Sequence, residues 1–99
     1  MIRPAYHATV KRTERRLLAI HDQIAAIEEQ LRLTREELII HQHLDDDARR
    51  DATVGGPIER EDARITGADV ARFQAVTHRL ERQLARLREK RARLLSRLD

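Results

Sequence analysis

Apolar residues recur every seven positions in two parts of the chain. One series runs through the first half and another through the second: Val10, Leu17, Ile24, Leu31 and Leu38, then Phe73, Leu80, Leu87 and Leu94. Further apolar residues, such as Ile20 and Leu84, lie three or four positions from these. A strict seven-residue period with this spacing is typical of a coiled-coil seam. The pattern therefore predicts two long helices, each with one apolar stripe.

The repeat is interrupted near the middle of the chain, where Gly55, Gly56 and Pro57 follow one another. Glycine adopts the left-handed backbone conformation that ends many helices, so we expect the pair to contribute to such a turn. Thr66 is a suitable N-cap for the second helix. The pattern thus predicts a break between the helices that extends well beyond the glycines.

These features predict an all-α fold, an antiparallel helical hairpin of the coiled-coil type. We expect one domain over residues 1–99, with helices at about 5–41 and 67–98 joined by a partly helical tip at 42–66. Aromatic residues are only 2% of the chain, whereas 37% of residues are charged. This composition with a seven-residue period favours a coiled coil over a globular core.

The register of the hairpin follows from the same residues. If facing residues have numbers that add up to 111, Leu31 faces Leu80 and Leu38 faces Phe73. A total of 118 would instead place Asp45 opposite Phe73, and burying a carboxylate against a ring without a partner is costly. We therefore expect the first register.

Several large apolar residues lie outside the seam, and a two-helix hairpin alone would leave them exposed. They form the predicted association face: Leu18, Leu33, Ile39, Ile40 and Leu95. Contiguous exposed apolar surface marks sites of association. We expect a homodimer of hairpins, that is a four-helix bundle, or a complex with another helical protein.

Charge is distributed unevenly, although the formal net charge is only +3. Residues 45–69 carry four basic and eight acidic residues, and residues 70–99 carry nine basic and three acidic residues. The acidic residues of the tip form a candidate partner-binding site: Asp45, Asp46, Asp47, Asp51, Glu59, Glu61 and Asp62.

An acidic tip on a helical hairpin resembles the layout of bacterial transcription factors that enter the secondary channel of RNA polymerase. The resemblance covers architecture and charge, without a shared tip motif, and the second globular domain or zinc site usual in those families is not expected here. It implies a function in which the tip carboxylates approach the catalytic magnesium of the polymerase.

Basic residues on the second helix form another candidate site, for phosphates or an acidic partner: Arg82, Arg86, Arg93 and Arg97. A basic stripe of this kind can follow a nucleic-acid backbone. We favour the simpler interpretation, a solvated coiled-coil face that pairs with acids of a neighbouring helix, because the stripe lacks aromatic stacking residues.

Residues for covalent or metal chemistry are scarce. The chain has no cysteine, one serine and five histidines, and no two histidines have the i, i+4 spacing of a helical metal site. We expect no enzymatic activity, no cofactor and no metal. The N-terminal sequence lacks the apolar run of roughly 7–15 residues found in signal peptides. The expectation is a soluble, cytoplasmic protein without a membrane association.

The leading hypothesis is a non-enzymatic coiled-coil interaction module that self-associates or binds a helical protein partner. One alternative is a transcription regulator that acts on RNA polymerase through the acidic tip. A second alternative is a nucleic-acid-binding protein that uses the Arg-rich second helix.

Overall fold

Two long helices connected as a hairpin make up the fold in a computed structural model, which describes residues 4–98 and the side chains of residues 8–98. Helix α1 spans Pro4–Val54 and helix α2 spans Pro57–Ser96. No residue between 4 and 98 is in a β-strand. The all-α prediction is confirmed. Assembly into a four-helix bundle stays a prediction.

The predicted helix boundaries were wrong around the tip. Helix α1 continues thirteen residues past residue 41, and α2 begins ten residues before residue 67. The seven-residue spacing in fact continues through this region, because Ala48, Ala52 and Ala63 lie half-buried at seam positions. These residues are too small to reveal an apolar stripe in the sequence, but they favour helix strongly.

A two-residue turn joins the helices, and it does not use the expected left-handed glycine. No glycine of the described chain has a positive φ. Instead the backbone N–H of Gly56 donates to Oε2 of Glu59 at 2.8 Å, and the N–H of Arg60 donates to the Gly56 carbonyl at 3.1 Å. Gly56 is thus the N-cap of α2, with Pro57 at the first helical position, where its missing N–H is tolerated.

Gly55 is required for a different reason. A Cβ atom at this position would lie 2.5 Å from Cγ of Glu59, the side chain that caps α2. Any larger residue would therefore displace the capping side chain. The close approach of Glu59 to the turn, rather than an unusual backbone angle, explains the glycine.

The chain divides into two compact units, and the prediction of a single domain stays a prediction. The terminal unit contains residues 1–29 and 81–99, and the turn unit contains residues 30–80. In the terminal unit the seam buries apolar side chains, each at most 5% exposed: Ile20, Ile24, Leu84 and Leu94. A salt bridge of 3.7 Å joins Arg88 of α2 to Glu28 of α1.

The seam of the turn unit combines apolar and polar side chains. Leu31 and Leu80 are buried, and so are Asp45 and Thr77. The ring of His41 stacks on Phe73, with centroids 4.6 Å apart and an interplanar angle of 25°. Thr77 satisfies its hydroxyl by donating to the Phe73 carbonyl at 2.9 Å. A polar seam is stable when each polar group has a partner, as here.

The register of the turn unit is the one with facing numbers that add up to 111. The hydroxyl of Thr66 on α2 donates to Oδ1 of Asp45 on α1 at 2.8 Å, and 45 and 66 have that total. The midpoint of this register falls between Gly55 and Gly56, where the turn lies. Thr66 is therefore not the N-cap of a helix but a contact between the two helices.

Candidate association surfaces

The predicted association residues are all exposed, but they do not form one face. In the terminal unit, Leu18 of α1 is 66% exposed and Leu95 of α2 is 48% exposed. Both side chains line one shallow depression, together with Leu17, His21 and the half-buried Arg91. The helices therefore bring Leu18 and Leu95 together, although they lie 77 positions apart in the chain.

In the turn unit, Leu33 and Ile40 lie on one flank of α1 because they are seven residues apart. Leu33 is 48% exposed and Ile40 is 53% exposed. Leu44, which is 50% exposed, extends the same flank by one turn and was missed in the sequence. Ile39 is equally exposed but lies on the other flank, since neighbouring positions on a helix point about 100° apart.

We call the first of these flanks the α1 stripe. Its members follow one another at spacings of four and three residues: Leu33, Glu37, Ile40, Leu44 and Asp47. Glu37 and Asp47 are both exposed, and they interrupt the three apolar side chains. The stripe is thus a second, mixed apolar and acidic seam beside the one that holds the hairpin together. Its spacing was the signal that could have identified Leu44.

A groove in the terminal unit has the opposite character. It has a volume of about 570 Å³, and Ala26, Ile27 and Leu87 contribute its apolar surface. Its other lining residues are polar, and three of them are basic: Gln23, Gln83, Arg86, Glu89, Lys90 and Arg93. We call it the basic groove. Among the predicted Arg-rich contacts, Arg86 and Arg93 line it. Arg82 is exposed one turn before Arg86 on α2, and Arg97 is exposed just beyond the end of α2.

The two units also differ in net charge. The terminal unit has twelve basic and seven acidic residues, which gives +5. The turn unit has eight basic and ten acidic residues, which gives −2, and the two values add up to the +3 of the whole chain. Charges of opposite sign favour contact between the terminal unit of one molecule and the turn unit of another.

Asp45, predicted as part of an exposed acidic tip, is instead a buried seam residue, 3% exposed. Besides the bond from Thr66, its Oδ2 accepts a salt bridge of 2.8 Å from Arg49, one turn further along α1. The carboxylate is thus satisfied from both helices. This is why a seam position tolerates a charge that would be costly without partners.

Other tip acids are engaged locally. Asp47 forms a salt bridge with Arg50, and Glu59 caps α2 by accepting a hydrogen bond from the backbone N–H of Gly56. Arg64 donates two hydrogen bonds to Glu61, at 2.9 and 2.6 Å. These bonds hold the pKa of Glu61 below its ordinary value and raise the pKa of Arg64. Asp46, Asp51 and Asp62 lie on the exposed surface.

Within residues 4–98, no group of three or more His, Cys, Asp or Glu side chains is arranged to hold a metal ion. Of the described histidines, His41 is occupied by its stack on Phe73 and lies 3.7 Å from Glu37. Neither α1 nor α2, over the residues described, contains a segment apolar enough to cross a membrane. His7 is not among the residues whose side chains the structure describes.

Comparisons with known proteins found no relative. The chain matches no protein-family model, no curated protein and no solved structure.

Proposed function

We propose that this protein is a non-enzymatic helical-hairpin interaction module that self-associates. The observation that carries the proposal is the set of large apolar side chains about half exposed on α1 within the turn unit: Leu33, Ile39, Ile40 and Leu44. They lie outside the seam, which is already filled by side chains of the two helices. Exposed apolar residues concentrated in this way are typical of association surfaces.

The spacing of these residues supports a helical partner in particular. Apolar positions three and four residues apart on one flank are what a second helix requires for knobs-into-holes packing. Burial of a half-exposed leucine or isoleucine contributes roughly 1 kcal/mol, at about 25 cal/mol per Å² of apolar surface. Three such residues contributed by each of two copies supply roughly 6 kcal/mol, which exceeds only the low end of the roughly 4–15 kcal/mol cost of association, so complementary charges must contribute to the affinity as well.

The acidic-tip hypothesis has less support. A regulator that acts on RNA polymerase would present several carboxylates to its target, whereas Asp45 is buried and Glu59 caps a helix. Asp46, Asp51 and Asp62 remain for such a role. Nucleic-acid binding through the Arg-rich helix also stays a prediction.

Light scattering across a range of protein concentrations tests the proposal. We expect a mass approaching twice the 11.6 kDa of one chain at high micromolar concentration. The double variant Ile40→Gln with Leu44→Gln should shift the protein toward the monomer without loss of helix. The matched control is Ile58→Gln, because Ile58 is 75% exposed but lies beside the turn, away from the α1 stripe. A strict monomer at all concentrations would refute the proposed function.

A further inference from the structure

The basic groove of the terminal unit combines features that single out its partner. Its floor is apolar, with Ile27 and Leu87 half-buried and the small Ala26 leaving room for an incoming side chain. Its rim carries Arg86, Lys90 and Arg93. A surface with apolar floor and cationic rim fits an amphipathic helix that carries both apolar and acidic residues.

The chain itself contains a helix flank of that chemistry. The α1 stripe offers three exposed apolar side chains in series with the carboxylates of Glu37 and Asp47. The stripe is also long enough to cover the groove. Residues 33–47 span about 21 Å of helix and residues 83–93 about 15 Å, at 1.5 Å per residue. A contact between the two surfaces would place the apolar residues on the apolar floor and the carboxylates at the basic rim.

We infer that the basic groove is the docking site for the α1 stripe of a second copy of this chain. The inference rests on the proposed function and adds the two surfaces that meet. The net charges of the units, +5 for the terminal unit and −2 for the turn unit, favour this pairing over contact between like units. Each copy carries both surfaces, so a closed dimer makes the contact twice.

A phosphate backbone is a less suitable occupant of the groove. Glu89 is among its lining residues, and a carboxylate repels phosphate. The apolar floor formed by Ile27 and Leu87 adds no affinity for a nucleic-acid backbone, because phosphates bind through their charge. The side chains of the groove include no aromatic ring on which a base could stack.

Reversal of charge on each surface tests the inference. The groove variant is Arg86→Glu with Lys90→Glu, and the stripe variant is Glu37→Lys with Asp47→Lys. We expect each variant alone to self-associate about tenfold or more weakly than the parent, since each then opposes like charges. An equimolar mixture of the two should associate again, because one of its contacts pairs the reversed charges. Sedimentation velocity measures both effects, and circular dichroism confirms that each variant is helical.

The control is Lys11→Glu with Arg15→Glu, which changes the net charge by the same amount at two exposed residues outside the groove. It should associate like the parent. If the parent is a dimer and the groove variant dimerises as well as the control, the inference is overturned while the proposed function stands. If the parent is a monomer, both fail. If a monomeric parent binds a duplex oligonucleotide and the groove variant does not, the groove is a nucleic-acid site and the inference is overturned.

Discussion

The terminal unit and the turn unit use the same seven-residue period in different ways. In the terminal unit, large apolar residues such as Ile24 and Leu94 are inside the seam, at 3% and 2% exposure. In the turn unit, Asp45 and alanines take many seam positions, while Ile40 and Leu44 remain about half exposed outside. The terminal unit buries most of its large apolar residues in the seam, although Leu18 and Leu95 are exposed, whereas the turn unit leaves a larger share of them exposed.

This difference shows that apolar content alone does not locate a core. Small residues near the turn suit two helices that a two-residue connection brings close together, so large side chains there are placed on the flanks. The Asp45–Thr66 hydrogen bond then supplies specificity, since a polar pair at a seam can fix one register among several. The turn unit thus has a seam that can specify the register and an exposed flank that we propose as an association surface.

The largest expected effect is in the seam of the terminal unit. Leu94→Ala should lower the free energy of unfolding by about 2–5 kcal/mol, because it leaves a cavity where a side chain was fully buried. Its neighbour Leu95 is 48% exposed, and Leu95→Ala should cost less than about 1 kcal/mol. Urea unfolding of both variants at one protein concentration measures the difference. Equal costs would show that the seam of this unit is misplaced.

A smaller effect is expected at the buried carboxylate of the turn unit. Asp45→Ala should cost about 1–3 kcal/mol, since it removes the acceptor of Thr66 and the partner of Arg49. Asp46→Ala is the matched control at the next, exposed residue and should change stability by about 0.5 kcal/mol at most. Thermal melts of the two variants compare them. An unchanged melt for Asp45→Ala would mean that this contact does not hold the register.

The same site predicts a change of opposite sign. Gly67 lies inside α2, where glycine costs roughly 0.5–1 kcal/mol relative to alanine. A Cβ atom there would meet only Oδ1 of Asp45, at an ordinary 3.7 Å. Gly67→Ala should therefore stabilise the turn unit by about that amount, measured by urea unfolding. A loss of stability would indicate that α1 and α2 approach more closely at this point.

The smallest effect concerns pH and the exposed pair of Glu61 and Arg64. Because the pKa of Glu61 is lowered in the folded state, its contribution to stability is present above the pKa of the unfolded chain. The contribution is lost as the pH falls through the lower, folded pKa. Nuclear magnetic resonance titration should show Glu61 titrating below an ordinary glutamate, and Arg64→Gln should return it to the ordinary value. If Arg64→Gln left the titration of Glu61 unchanged, the pair would not be the cause of the lowered pKa.

Much of the terminal unit could be predicted from the sequence because its seam consists of large apolar residues. Leu84 and Leu94 stand out at fixed spacing among charged neighbours. The turn unit was harder to predict. Ala48, Ala52 and Ala63 continue the seven-residue spacing, but their side chains are too small to show it as an apolar pattern. The glycine pair then looked like the centre of a loop rather than a two-residue turn.

The candidate site was predicted only in part for a related reason. Exposure of Leu33 and Ile40 follows from their positions off the seam, but their separation from Ile39 requires the direction of each side chain on α1. The burial of Asp45 could not be read from three consecutive aspartates, because only the register distinguishes the first from the other two. The basic groove is formed by both helices. Its prediction therefore requires knowing which residues about sixty positions apart in the chain lie close together.

Cross-linking between copies tests the central claim most directly, because the chain contains no cysteine of its own. Chains with Ile40→Cys on the α1 stripe are mixed with tagged chains with Ala26→Cys in the basic groove, and a short bismaleimide is added. The account predicts a cross-linked pair of one chain of each kind. Ile39→Cys, equally exposed on the other flank, should give far less of it. Equal yields from positions 39 and 40, or no cross-linked pair from either, would contradict the account.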